Sequence, residues 1–310
     1  MNFFEQIDVY QSTLNPLINE SNDIKYQCMF MEPNLNIKPT LDEVQIVMQI
    51  YTFGILERSH LASITSLART LKWLNSTKYH ASDGNLLAFS ASLRGFVEAS
   101  ADSFDLMKFL PATICKNLKL IYIQLKNPSL LNGAILSFKN LEDRLIHYSH
   151  ARKIKKNDLA LPNHTNKHNA DYIMEIEKFG ANKSHELYAE LCELTHPASS
   201  SVMCFVDETD RSMTLNFTKE KLAIEKILTK YNETLINLLQ FSANTASETL
   251  SYLNVLIPEW PALPIDSNGH IGNIKKNIDD FNYFVNNFNP SSVVTVQRDG
   301  IDYLNETIVP

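Results

Sequence analysis

The sequence predicts a mainly α fold: a multi-helix bundle of antiparallel helices with a small β-hairpin and irregular terminal segments. Three observations carry this. The 310 residues include only 8 glycines. Apolar residues, 44% of the chain, recur at spacings of three and four over long stretches. Prolines such as Pro39, Pro111, Pro128 and Pro162 fall where elements should end. A chain this long and this apolar can bury one large core.

Taken in order, residues 1–39 read as an N-terminal helical extension, with a helix to Ile18 and then an Asn-rich connection. Thr40 has the character of an N-cap, with Glu43 at the capping-box offset. A helix follows it, and a second runs from His60 to Lys78, with Arg69 set among apolar neighbours. Tyr79–Gly84 reads as a turn.

The next helix, 85–110, is nearly free of charge apart from Arg94, Glu98, Asp102 and Asp105. Those three acids project within about 80° of Arg94 around a helix axis, so the four charges form one stripe. The remaining positions are apolar or small, which suits a central helix packed closely by others. A stripe of charge on such a helix must be paired or must line a cleft. It is therefore either a register-fixing ion-pair set or a ligand contact.

Pro111 breaks that helix and starts the next. The following helix contains Arg144, His147 and His150 and ends in the basic run Arg152, Lys153, Lys155 and Lys156. Residues 157–168 read as a polar loop that includes His164 and His168. A further short helix ends at Gly180 as its C′ residue.

The stretch Ser184–Phe217 carries the most chemistry. On a helix, Leu187, Leu191 and Leu194 share one side, and Glu186, Glu190 and Glu193 form an acidic edge. His185, Cys192 and His196 lie within about 20° of a line opposite the leucines. The faces join through Tyr188 and Thr195, so burial on most sides is expected. Pro197 ends the helix at His196, where the dipole favours an imidazolium. His196 is either a capping histidine or a ligand contact. SSVMCFV and SMTLNF then read as two strands of a hairpin. The helix from Lys219 to about Ser242 has the cleanest 3.6 period in the chain, and its pattern allows it to continue or kink into ANTASETLSYLNVLI. Residues 40–257 make the helical domain, and 258–310 a C-terminal irregular extension with a helix and a hairpin.

The net charge is −7 and the pI about 5.7, which gives no global basic footprint for nucleic acid or anionic membrane. Cys28, Cys115, Cys192 and Cys204 form no CxxC pair and read as buried thiols in a reducing compartment. The N-terminus lacks the pattern of a secretory signal, and no run reaches a membrane-spanning length. A cytoplasmic protein is expected, without membrane partner. There is no GxGxxG, P-loop, GxSxG or HExxH, so no cofactor is implied. HTNKH has ligand spacing but no third ligand, and no metal site is expected.

Arg144 and His150 stand at an R-x(5)-H spacing, in which the His can act as acid or base on a 2′-hydroxyl while the Arg binds phosphate. An exposed amphipathic helix gives the same spacing by chance. Beyond these readings, SLRGFVEASADSF and YAELCELTHPASSS resemble a group of bacterial helical proteins of unassigned function. Those carry an RxxxE helix and a later YxxLSxxxHP helix. The resemblance spans residues 45–205, and Cys192 stands where Ser is usual. The group is similar in layout to the HEPN superfamily, which includes ribonucleases of toxin and phage-defence systems.

That resemblance implies Arg144 and His150 as a metal-independent ribonuclease pair, a role in a toxin or defence system, an RNA or protein partner, and a homodimer. The residues themselves favour a polar central pocket bound by Arg94, Glu98, Asp102, Tyr188 and His196. A non-catalytic module binding a protein or a small polar ligand is the remaining alternative.

Overall fold

The computed structural model describes residues 2–27, 40–131, 135–154, 162–264, 271–289 and 308–309. Helix dominates them. The elements are α1 (Phe3–Glu20), α2 (Leu41–Asp83), α3 (Leu86–Met107), α4 (Leu110–Lys126), α5 (Lys139–His150), α6 (Asn169–Lys178), α7 (Ser184–Thr195), α8 (Ser199–Met203), α9 (Lys219–Lys230), α10 (Asn232–Leu256) and α11 (Ile271–Asn287). The mainly α expectation, with a small hairpin, holds. The hairpin pairs β2 (Val206–Thr209) with β3 (Ser212–Leu215) in antiparallel register, Val206 opposite Leu215. A two-residue antiparallel pair joins β1 (Ile135–Leu136) to β4 (Ile308–Val309).

Thr40 and Glu43 cap α2 reciprocally: the Thr40 N–H donates to the Glu43 carboxylate at 2.7 Å, and the Glu43 N–H to Thr40 Oγ1 at 3.3 Å. From there α2 runs unbroken for 43 residues, where two helices and a turn were expected. No proline interrupts it. Gly54 costs only about 1 kcal/mol relative to Ala, too little to end a helix. The Ser59 and Ser63 hydroxyls donate to carbonyls four residues earlier, so they do not compete for the helical N–H groups. Gly84, with φ +77°, provides the left-handed stop.

Three other expectations needed correction. The helix expected over 219–242 is broken at Tyr231, while the allowed continuation through ANTASETLSYLNVLI is made, to Leu256. The Tyr231 ring is fully buried, and its hydroxyl donates to Glu190 at 2.8 Å. A tertiary contact fixes that break, with neither Gly nor Pro to announce it. Of residues 200–206, expected as a strand, 200–203 belong to α8 after an extended Ala198, and only Val206 enters β2. Cys115, Cys192 and Cys204 are half-buried rather than buried. Other expectations were met: Pro111 lies in the first turn of α4, and Gly180 follows α6 with φ +118°. Cys28, Lys155, Lys156, most of the Asn-rich connection and the C-terminal hairpin lie outside the described residues.

The chain divides into two compact units that interleave in sequence. Unit 1 comprises 1–18, 65–105 and 167–244; unit 2 comprises 19–64, 106–166 and 245–310. In unit 1, α3 is buried on nearly every side, through Phe89, Leu93, Phe96, Val97, Ala101 and Phe104. Phe3 of α1 reaches Phe96 with ring centroids 5.8 Å apart. The small residues of α3 allow this: a Cβ on Gly95 would lie 2.7 Å from the Trp73 ring. In unit 2, α4 buries Ile114, Leu118 and Ile121, and α11 brings Phe281 to Tyr122 at 5.8 Å.

Candidate functional site

One cluster in unit 1 gathers four of the residues singled out in the sequence. Arg94 and Glu98 stand one turn apart on α3, with Nε and Oε1 3.5 Å apart and side chains 27% and 28% exposed. From α7, the Tyr188 hydroxyl donates to the same Glu98 oxygen at 3.1 Å. Arg94 Nη1 donates to Thr195 Oγ1 at 2.7 Å and to His196 Nε2 at 3.3 Å. The cluster is open to solvent rather than sealed.

Local sequence explains each placement. Leu187 and Leu191 are fully buried and dock α7, which turns Tyr188 and Thr195 toward the cluster. The Thr195 hydroxyl donates back to the Leu191 carbonyl at 2.8 Å, leaving its lone pairs to accept from Arg94. His196 caps α7 through its backbone, its N–H bonded to the Cys192 carbonyl at 2.9 Å, and extended geometry (ψ 161°) carries the chain into Pro197. Its ring is thereby left for Arg94. In that contact the guanidinium is the donor and Nε2 the acceptor.

Burial, then the neighbouring Glu98 charge, pushes the Tyr188 hydroxyl up to about 12. At neutral pH it is a fixed donor. Among the described residues, Arg94 Nη2 has no hydrogen-bond partner. The guanidinium is thus held on two of its three nitrogens and presents the third.

The remainder of the α3 stripe is parted from Arg94. Asp102 pairs with Arg69 at 2.8 Å, and Asp105 with Lys167 at 2.6 Å. The Lys167 ammonium also lies 5.2 Å from the centre of the Tyr172 ring. Burial, with Asp102 and Asp105 adding to it, pushes the Tyr172 hydroxyl up to about 12. The acidic edge of α7 is engaged as well, since Lys230 reaches both Glu186 and Glu190 at 2.9 Å. Burial of α7 is one-sided, with His185 and His196 exposed.

Arg144 and His150 make separate contacts in unit 2. The Arg144 guanidinium lies over the Phe109 ring at 5.5 Å. His150 is exposed, shares a 2.7 Å hydrogen bond between Nδ1 and Ser149 Oγ, and stacks on His164 with centroids 5.7 Å apart. Six residues apart on α5, the two project about 120° apart around the axis. His168, the second His of HTNKH, precedes α6 and is exposed.

Sequence reasoning missed Thr195 as a partner of Arg94, and Lys167 and Lys230 as counter-ions. Each of these contacts joins residues far apart in the chain, so no local spacing announced it. Among the described residues no three His, Cys, Asp or Glu side chains are grouped to hold a metal, and no helix is long and apolar enough to cross a membrane. No family model, curated protein or solved structure matches this chain.

Proposed function

We propose that the protein is a binding module that takes a small polar ligand through an anionic oxygen on Arg94. The observation that supports this is the orientation of the guanidinium: Glu98, Thr195 and His196 occupy Nε and Nη1, and among the described residues Nη2 has no partner. An arginine whose rotamer is already fixed loses less entropy on binding than a free one. Tyr188 supports the arrangement from behind by holding Glu98, and as a protonated donor it is no general base. Both candidate proton carriers, Glu98 and His196, are engaged by Arg94. The cluster is therefore suited to recognition more than to proton transfer.

Inorganic phosphate is the simplest probe. Isothermal titration should give weak, saturable, salt-sensitive binding to the wild type. Arg94→Ala should abolish it with an unchanged helical circular-dichroism spectrum. The resemblance to HEPN ribonucleases adds a second arm, because a cytoplasmic toxin or defence nuclease would act on RNA. Induced expression of wild type beside Arg144→Ala and His150→Ala should leave growth and total RNA intact in all three. Fragmented RNA in the wild type, rescued by His150→Ala, would replace the binding reading with cleavage by Arg144 and His150.

A further inference from the structure

We infer that unit 2 carries a second, unrelated binding site that takes a small amphiphilic cation. The site is a cavity of about 480 Å³ against the first half of α2, with walls added by α4 and α5. That volume lies within the range of roughly 300–1,000 Å³ typical of small-molecule sites. The cavity has a definite origin in the sequence. Val47, Ile50, Gly54 and Arg58 follow one another at helical spacing on one face of α2, and all four line it. Its middle position is a glycine, and a Cβ built there meets nothing within 4 Å. The absence of one side chain opens the space.

The lining is mixed in the manner of a ligand site. Val47, Ile50, Phe53 and Leu125 supply apolar wall, and Glu57, Glu142 and Arg58 supply charge. Among the described lining residues, two carboxylates stand against one guanidinium. Glu57 is only 3% exposed and already accepts the Gln27 backbone N–H at 2.9 Å, so its carboxylate is fixed in place. A carboxylate held at an apolar wall selects a cation able to donate to it.

The aromatic wall favours the same charge. Phe53 meets Trp260 at 6.1 Å and Trp260 meets His60 at 4.7 Å between ring centroids, both pairs tilted. Of that file of rings, Phe53 is the one that lines the cavity, 38% exposed, and an aromatic wall attracts an ammonium. At 38–39% exposed, Phe53 and Val47 leave the mouth open to solvent. None of these residues belongs to the Arg94 cluster, so either site can fail without the other.

Dansylcadaverine, a primary amine on an apolar fluorophore, is the probe, with dansylglycine as its anionic counterpart. Titrated into the full chain, the amine should give a saturable fluorescence rise and energy transfer from tryptophan, and the acid at least tenfold weaker binding. Gly54→Phe fills the space and should abolish amine binding; Gly54→Leu, a milder filler, should weaken it at least tenfold. Glu57→Gln keeps the shape of the wall and should also weaken amine binding at least tenfold. Comparable binding of both probes would overturn the cationic assignment. Undiminished binding in both Gly54 variants, or no saturable binding to the wild type, would overturn the site.

Discussion

Arg94 matters as an oriented donor more than as a charge. Its ion pair with Glu98 is half-exposed and one turn long, and such pairs contribute about 0.5 kcal/mol or less. The geometry that pair helps to fix is what a ligand would meet. Tyr188→Phe removes the hydroxyl that holds Glu98 and leaves the ring. It should weaken phosphate binding several-fold by titration while leaving the thermal midpoint within a few degrees of wild type. These four residues were legible because i,i+4 spacing and one-face geometry on a helix are properties of sequence. Thr195 was not, because its role depends on how α7 lies against α3. A different residue contributes to acid stability. Burial pushes the His60 imidazole from its ordinary 6.5 down to about 4. Its ring is fully buried, with Nδ1 hydrogen-bonded to the Tyr26 hydroxyl at 2.7 Å. Between those two pH values the unfolded chain binds the proton and the folded protein does not. The stabilisation is therefore complete above about pH 6.5 and is lost as pH falls toward 4, by about 3 kcal/mol in all. His60→Gln should flatten that part of the urea-stability profile; parallel losses in variant and wild type would show that other groups carry it.

Helices α2 and α3 give opposite answers to the same substitution. Gly95→Ala would push a methyl into the Trp73 ring and should destabilise by about 1–3 kcal/mol. Gly54→Ala meets open space and should stabilise by about 0.5–1 kcal/mol from helix propensity alone. Chemical denaturation of the two variants side by side checks both signs. At the start of α2, Thr40→Ala removes the reciprocal cap and should cost about 1 kcal/mol. Helix identity, the cap and the stop at His196 were readable because each rests on neighbours within four residues. The continuity of α2 and the break at Tyr231 were not. The first depended on nothing strong enough to end a helix, and the second on a buried hydroxyl reaching Glu190 from another element.

Across the whole molecule, the two units are built from segments far apart in the chain. Changes of composition suggested boundaries at 39/40 and 257/258, but composition does not tell which segments cohere in space. The terminal helices join the cores. Phe3, Ile7, Leu14 and Leu17 of α1 are 0–3% exposed, and the Phe3 N–H donates to Asn232 at 2.9 Å. A chain cut to residues 40–257 loses that packing and the α11 contact with Tyr122. It should unfold non-cooperatively or aggregate, as followed by circular dichroism on heating. A sharp, wild-type-like melt of the cut chain would contradict the assignment of both terminal helices to the cores.

The claim on which the functional account rests is that Arg94 is the ligand-contacting group. The most direct measurement is an arginine side-chain Nε–Hε NMR titration with inorganic phosphate, the Arg94 resonance being assigned by its loss in Arg94→Lys. A saturable shift of that one resonance is expected, with Arg144 unmoved. A shift at Arg144 with Arg94 silent would contradict it and move the site to α5.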